Sequence, residues 1–267
     1  MSKTIAILGC GWLGLPLAKA FLTDGFQIHG STTSEEKISD LERHGVIPFL
    51  ISLSEDKIEG NIREFLTNAA VLIINVPPKL RGENSENYVK KMQLLHDALK
   101  KSSVRKVIFV SSTSVYGDVE GDVTEQTLPR PSTESGIQLL ASEHIFKDDT
   151  EIQTTIIRFG GLIGQKRHPV TMLSKRKNLK NGNSPINLIH LKDCIKIISE
   201  IVQKNWWCET FNGVYPYHPT KQKYYTSEAL RKGLLIPDYS YKDPKNGKIV
   251  HSYNLTNVKE FKFTTTL

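Results

Sequence analysis

Apolar positions in the first 165 residues alternate between short β-rich runs and stretches of helical spacing. Thr4–Leu8 (TIAIL) reads as a buried strand. Residues 13–22 (LGLPLAKAFL) read as a helix that tolerates Pro16 because it falls in the first turn. Strands follow at 27–30 and 46–50, and between them 34–44 carries Ile38 and Leu41 three apart, a short helix capped by Ser34. Residues 69–76 (AAVLIINV) form a fourth strand ended by Pro77 and Pro78. Val89, Met92, Leu95 and Leu99 give 87–101 the helical period. A fifth strand at 106–110, with Ser111 and Ser112 just past its end, a helix at 137–146 and a sixth strand at 155–159 complete the series. Continuously apolar strands alternating with helices predict an α/β fold, a parallel sheet covered on both faces with right-handed crossovers.

From about Gly160 the texture changes to longer loops, more Pro and Asn, and more basic charge. The expected organisation is a sheet domain over 1–165 and a smaller substrate-side lobe over 166–267, interleaved with the sheet. Hydrophobic residues make up 39% and charged residues 24% of the 267, which excludes a disordered chain and a coiled coil. The net charge is +7 and sits mostly in the second part. Residues 166–180 hold six basic residues and no acid, and 221–262 hold nine basic against four acidic. This suits a solvated face or an anionic small-molecule substrate. Nucleic acid fits poorly, because groove-reading motifs are absent; Trp206-Trp207 and Tyr224-Tyr225 could stack bases, but the first pair precedes a strand at Thr210–Gly213 and reads as packing. Cys10, Cys194 and Cys208 have neither disulfide nor metal spacing, so no metal is expected and a reducing cytoplasm is the default. The uncharged stretch 5–18, followed by Ala18-Lys19-Ala20, imitates a signal peptide. However, Gly9, Gly11, Gly14 and Pro16 suit a turn between two elements, and the stretch falls short of the ~20 residues that span a bilayer.

Gly9-Cys10-Gly11-Trp12-Leu13-Gly14 fits G-x-G-x-x-G between a strand and a helix, the context that gives this pattern meaning. Gly9 permits a tight turn, Gly11 a close approach to a pyrophosphate, and Gly14 close helix–strand packing. The helix start, with Trp12 and Leu13, then faces the anion. The sheet is therefore read as a Rossmann-type, doubly wound one that binds NAD(P). An NAD site usually carries an acid at the end of the second strand. Here Ser31, Thr32, Thr33 and Ser34 stand there, no carboxylate precedes Glu35, and Lys37 follows. Hydroxyls, a helix start and a lysine accept a 2′-phosphate, so NADP is preferred over NAD; simple turn chemistry is the alternative for the hydroxyls.

A strand followed by Ser111-Ser112-Thr113-Ser114-Val115-Tyr116-Gly117 resembles the extended short-chain dehydrogenase/reductase superfamily, specifically the NAD-dependent epimerase/dehydratase family. Glu125 before Pro129, the stretch Arg158-Phe159-Gly160-Gly161-Leu162-Ile163-Gly164, the stretch Asn187-Leu188-Ile189-His190-Leu191-Lys192-Asp193, and Phe211-Asn212-Gly213 resemble further family segments in order. GCGWLG in place of G-x-x-G-x-x-G marks a divergent bacterial branch. The resemblance implies that Ser112 hydrogen-bonds the reacting oxygen of a substrate. It implies that Asn75, Val76 and Pro77 lie along the cofactor, that Ser111 adjoins it, and that Arg158, Phe159, Gly160 and Gly161 pass near the nicotinamide. His190 and Asp193 start a helix in this family and take structural roles. Relatives form dimers through the helices corresponding to 87–101 and 137–146, which implies a homodimer.

The family's catalytic Tyr-x-x-x-Lys is missing. A register set on Leu140-Ala141-Ser142-Glu143 puts the tyrosine position at Ser135 and the lysine position at Leu139. No tyrosine lies between Tyr116 and Tyr215 and no lysine between Lys106 and Lys147, so no register slip restores the pair. Losing a positioned acid/base typically costs about 3–5 kcal/mol of barrier. Tyr116, Glu134 and His168 are the nearest replacements, each with a plainer alternative: a packed ring with its hydroxyl bonded for Tyr116, a solvated residue or one near a helix start for Glu134, and a solvated loop histidine for His168. The expectation is an NAD(P)-binding oxidoreductase or epimerase acting on a small, anionic, sugar-nucleotide-like substrate, with a catalytically silent NADP(H) sensor or scaffold as the alternative.

Overall fold

A computed structural model describes residues 3–78, 86–240 and 246–267. In chain order they form β1 (Thr4–Leu8), α1 (Gly14–Thr23), β2 (Gln27–Thr32), a 3₁₀ turn at Glu35–Lys37 running into α2 (Ile38–Arg43), and β3 (Ile47–Leu50). Then come β4 (Ser52–Leu53), β5 (Ile58–Glu59), α3 (Ile62–Leu66), β6 (Ala69–Ile74), α4 (Tyr88–Lys100), β7 (Lys106–Ser112) and a 3₁₀ turn at Thr113–Tyr116. The remainder is β8 (Gly121–Val123), α5 (Glu134–Lys147), β9 (Gln153–Phe159), β10 (Gly161–Ile163), α6 (Val170–Leu173), β11 (Leu188–His190), α7 (Leu191–Gln203), β12 (Thr210–Gly213), α8 (Lys221–Arg231), β13 (Lys248–Val250) and a π-helical turn at Asn254–Val258.

Seven strands form one parallel sheet in the order β12-β9-β7-β6-β1-β2-β3. All five residues of β1 are buried, as a doubly covered strand requires. Ile5 and Ile7 point into one core with Leu17 and Phe21 of α1 and Ile197, Ile198 and Ile201 of α7. Ala6 and Leu8 point into the other, with Met92, Leu95 and Leu99 of α4 and Phe146 of α5. The strand order reverses between β1 and β6. The crevice beyond their carboxyl ends is where open α/β sheets take ligands.

The chain beyond residue 166 supplies β12 and α7 to this layered sheet as well as a lobe. The lobe core gathers Ile163, Val170, Ile186, Tyr224, Tyr225 and Tyr239. Two small parallel ribbons, β10–β11 and β8–β13, each pair a strand from before residue 166 with one from beyond it.

Several elements differ from the sequence expectation. β7 runs two residues further, so Ser111 and Ser112 are in the strand. β2 extends to Thr32 because Ser31 and Thr32 pair with Phe49 and Leu50 of β3. α5 starts at Glu134, since the Thr133 side chain caps it by accepting from the Gly136 amide, and this draws Ser135 into the first turn. Ser34 makes no side-chain cap; instead its amide donates to Thr32 Oγ1 at 3.2 Å. Helix α8 was not anticipated, because its segment is polar apart from a narrow buried face at Tyr224, Tyr225 and Ala229.

Candidate functional site

The glycine turn is shaped by sterics that its own residues impose. Gly9 has φ +100°, and a Cβ there would stand 2.7 Å from the Asn75 carbonyl oxygen. A Cβ on Gly14 would meet the Gly9 carbonyl oxygen at 2.2 Å. Gly11 is different: nothing lies within 4 Å of its Cβ position, and the residue is exposed. Two glycines therefore close the turn, and the third leaves its outer face open. α1 begins at this point with no side-chain cap at Leu13 and no acid in its first turn. The Leu15 amide is taken by the Gly11 carbonyl at 3.1 Å and Pro16 has none, so the amides that would meet an anion are those of the turn just before the helix.

Neighbouring elements brace the turn. Asn75 Nδ2 donates to the Gly9 carbonyl at 2.9 Å, and the Gly9 amide donates to Ser31 Oγ at 2.9 Å. The Val76 carbonyl accepts from Tyr88 Oη at 2.8 Å, while Pro77 is exposed. Trp12 packs against Gly164 beyond β10 and lies 4.9 Å under the Arg167 guanidinium. Thr33 and Lys37 are exposed beyond β2; Glu35 and Glu36 stand beside them. These residues fit a dinucleotide. The Gly9 and Cys10 amides are held by Ser31, so the amides of Gly11, Trp12 and Leu13 would hold its pyrophosphate; Ser31 and Thr32 are buried, against the expectation that they meet the ribose, which leaves exposed Thr33 and Lys37 to hold it.

At the carboxyl ends of β7, β9 and β12 lies a buried polar network. Arg158 Nη2 binds Glu143 Oε2 at 2.6 Å, and its Nε lies 3.1 Å from Oε1. Ser111 Oγ donates to the same carboxylate at 2.5 Å. Arg158 Nη1 donates to Tyr116 Oη at 3.1 Å, and that hydroxyl donates to Asn212 Oδ1 at 2.8 Å. The Asn212 amide donates to Glu125 Oε1 at 2.9 Å; Glu125 Oε2 is buried with no partner among the described residues, and burial raises its pKa. Tyr116 is therefore corrected as a candidate acid. It is fully buried, its hydroxyl is committed on both sides, and burial pushes its pKa up. The Ser111 and Arg158 side chains likewise turn inward. Phe159 is buried, with a ring carbon 2.3 Å from the Cβ position of Gly213, while Gly161 is exposed. The Gly161 amide donates to the Asn187 carbonyl at 2.8 Å, and a Cβ on Gly160 would stand 2.6 Å from that oxygen. Sequence reasoning missed Glu143 as a partner of Arg158, having used it only as a register mark.

Ser112 caps the turn at Thr113–Tyr116: its Oγ accepts from the Ser114 amide at 3.1 Å, which leaves its own proton to donate. α5 abuts this turn, since a Cβ on Gly136 would lie 2.9 Å from the Ser114 carbonyl oxygen. Ser135 is half-buried there, whereas Leu139 is 4% exposed and belongs to the core. Glu134 accepts from Gln138 Nε2 at 2.6 Å.

His168 lies in the lobe. Its Nδ1 accepts from the Val170 amide, and its Nε2 stands 3.2 Å from Tyr224 Oη and 3.5 Å from the Glu228 carboxylate. Burial, with Lys232 adding repulsion, pushes its pKa down to about 4, so the ring is neutral near pH 7. It lines a cavity of about 360 Å³ with His190, Tyr224, Glu228, Arg231 and Leu267. His190 caps α7 through Nδ1, and buried Asp193 accepts from the amide and hydroxyl of Thr264, each at 2.7 Å, and from Thr265. Trp206 packs on Phe211, and Tyr224 and Tyr225 are buried; Trp207 is half-buried, with the Lys106 ammonium 5.0 Å from its ring centre. Lys242 and Lys245 of the basic segments lie outside the described residues. Among the described residues, no three His, Cys, Asp or Glu side chains could hold a metal ion, and no helix is long and apolar enough to cross a membrane.

A strand-order reversal, a two-glycine closure and an uncapped helix start define a dinucleotide-binding protein of the doubly wound class. The chain belongs to the NAD(P)H-binding family, whose sequence model matches residues 9–189. It is 31% identical over 263 residues to Protein YeeZ of Escherichia coli (strain K12), covering 98% of this chain and 96% of that protein. A shorter match, 26% over 129 residues, links 43% of the chain to 41% of the Uncharacterized UDP-glucose epimerase YtcB of Bacillus subtilis (strain 168). Among solved structures, UDP-Glucuronic acid 4-epimerase from Bacillus cereus in complex with NAD superposes with TM-score 0.82 at 18% identity, covering 98% of this chain and 92% of that one. MoeE5 in complex with UDP-glucose and NAD superposes with TM-score 0.79 at 19% identity, covering 100% and 95%. These likenesses establish the fold.

Proposed function

We propose that the chain is an NAD(P)-dependent oxidoreductase or epimerase for a small, sugar-nucleotide-like substrate held beside Ser112. The observation that carries this reading is the glycine turn, closed by Gly9 and Gly14 and open at Gly11, at the point where the sheet order reverses. A dinucleotide held at this turn would supply the chemistry of hydride transfer. Ser112 donates its hydroxyl proton to the oxygen on the reacting carbon, held in that direction by the Ser114 amide. NADP is the preferred form, because β2 ends on Thr32 with no carboxylate before Glu35.

A second reading, a silent NADP(H) sensor, is favoured by one observation: Leu139, at the lysine position, is locked in the core. A thermal-shift titration with NADP⁺, NADPH, NAD⁺ and NADH at fixed salt tests cofactor binding. Occupancy at ~100 Kd adds about 2.7 kcal/mol of stability. NADP(H) is expected to stabilise the protein more than NAD(H); no shift with any of the four would sink both readings. Gly11→Asp is expected to abolish the shift through bulk and like charge, with unfolding in the absence of dinucleotide changed by less than about 0.5 kcal/mol. Reduction of NAD(P)⁺ by a sugar nucleotide, or its epimerisation without net cofactor change, lost in Ser112→Ala, then separates enzyme from sensor.

A further inference from the structure

The lobe cavity of about 360 Å³ lies where the β10–β11 ribbon meets α8. Gly164 and His190 line it from the ribbon, Tyr224, Glu228 and Arg231 from α8, and His168 from the loop after β10. Among the described residues, neither Ser112 nor any residue of the glycine turn lines it, although Gly164 also touches Trp12.

Counting hydrogens shows what this cavity lacks. His168 Nδ1 accepts from the Val170 amide at 3.3 Å, so the neutral ring carries its proton on Nε2. That proton faces two acceptors, Tyr224 Oη at 3.2 Å and the Glu228 carboxylate at 3.5 Å. Tyr224 cannot donate back to a nitrogen that already bears a proton. Burial pushes its pKa up to about 12, so the phenol keeps its own proton, which has no acceptor among the described residues. His190 repeats the pattern: Nδ1 accepts from the Lys192 amide at 3.2 Å, and the proton is left on Nε2. Glu228, the one acidic side chain of the lining, is already committed. Arg231 Nε lies 2.8 Å from its Oε1 and Nη2 2.7 Å from its Oε2, which leaves Arg231 Nη1 unused. The Lys232 ammonium stands 4.0 Å from the same carboxylate, beyond hydrogen-bond reach. The cavity thus offers donors in excess of acceptors, and two cations against one carboxylate. A buried donor with no acceptor costs free energy until one arrives.

We propose that this cavity binds a small metabolite through an anionic group, a phosphate or a carboxylate, that accepts from Tyr224, His190, Arg231 and Lys232. The site goes beyond the dinucleotide turn and the Ser112 position and depends on neither. Ligand pockets run from about 300 to 1,000 Å³, so this one suits the anion with about one sugar-sized ring and is too small for a second dinucleotide.

The test is calorimetric titration of ribose 5-phosphate, gluconate and ribose into the full chain, for wild type, Tyr224→Phe, Arg231→Lys, Glu228→Gln and Ser112→Ala. Wild type is expected to bind ribose 5-phosphate or gluconate at least tenfold more tightly than ribose, and which of the two binds tells phosphate from carboxylate. Tyr224→Phe and Arg231→Lys are each expected to weaken that binding about tenfold, as loss of a hydrogen bond to a charged group does. Glu228→Gln should bind as tightly or more so, because it removes negative charge from the cavity. Ser112→Ala should bind as wild type does. The Arg231 side chain is 66% exposed, so Arg231→Lys keeps the test decisive if Tyr224→Phe does not fold. Wild type that binds neither anion, a folded Tyr224→Phe or Arg231→Lys that binds as wild type does, or loss of binding in Glu228→Gln or Ser112→Ala would overturn the site.

Discussion

The two ends of the cleft are built differently. At the glycine turn, six consecutive residues specify the geometry, and their partners Asn75 and Ser31 come from strands adjacent in the sheet. At Ser112, the surroundings come from α5, β9, β12 and β13, including the buried Arg158–Glu143 pair and the Lys248 ammonium, which donates to the Thr113 and Gly117 carbonyls. The first end is a local steric solution and survives divergence as a short motif. The second is a set of long-range contacts whose chemistry can move from one element to another. At the first end a glycine motif is present in the shorter G-x-G-x-x-G form, whereas α5 at the second end carries neither the tyrosine nor the lysine.

The buried pair gives the sharpest way to break the comparison. Arg158→Met leaves Glu143 charged and unpaired in the interior, and is expected to cost about 3–5 kcal/mol in denaturant unfolding. Replacing both residues with apolar ones should cost less than the single change, and an equal or greater loss would refute the pair as a coupled unit. At the other end, Gly14→Ala must push a methyl into the Gly9 carbonyl oxygen, at about 1–3 kcal/mol and with loss of dinucleotide affinity. Gly11→Ala has free space and should cost well under 1 kcal/mol; equal effects at the two glycines would contradict the open-face geometry.

His168 sharpens the lobe side through pH. Its folded pKa is depressed, from 6.5 to about 4, so the unfolded chain takes up its proton first as the solution is acidified. Its contribution therefore favours unfolding progressively from pH 6.5 down to 4, by about 1–2 kcal/mol after discounting for partial solvent contact. Glu228, with a carboxyl pKa lowered chiefly by Arg231, loses stability in the same direction. His168→Gln should flatten the stability profile between pH 4 and 6.5, and an unchanged slope would show that the ring titrates normally. The smallest effect is expected at Ser135, where Ala should change stability by less than about 0.5 kcal/mol and leave dinucleotide affinity intact. A large loss of turnover in Ser135→Ala would instead restore α5 to the chemistry.

Most of the sheet was legible because β1, β6, β7 and β9 are apolar runs between turn residues, and the period is a local property. The strand ends were less so. Ser111 and Ser112 read as a loop because they are polar, yet β9 pairs with them through Arg158 and Phe159. In the cofactor turn, Gly9, Gly11 and Gly14 could be read residue by residue. Tyr116 could be read as a packed ring with its hydroxyl bonded, but the partners could not: Arg158 and Asn212 lie 42 and 96 positions away. Lys248 gave no signal, being one lysine in a basic stretch and meaningful only through β8–β13 pairing.

The docking of β12 on β9 has a consequence for how the chain is made. Until residue 213 has emerged during synthesis, β9 presents a bare parallel edge of seven residues, six of them destined for burial. Such an edge is a template for pairing with another nascent chain. A fragment cut near residue 165 would keep that edge and also lose α7, which packs Ile197, Ile198 and Ile201 into the core beside α1. The boundary that looks natural from composition is thus where a truncated protein would be most prone to aggregate, and soluble expression should require the chain to run past β12.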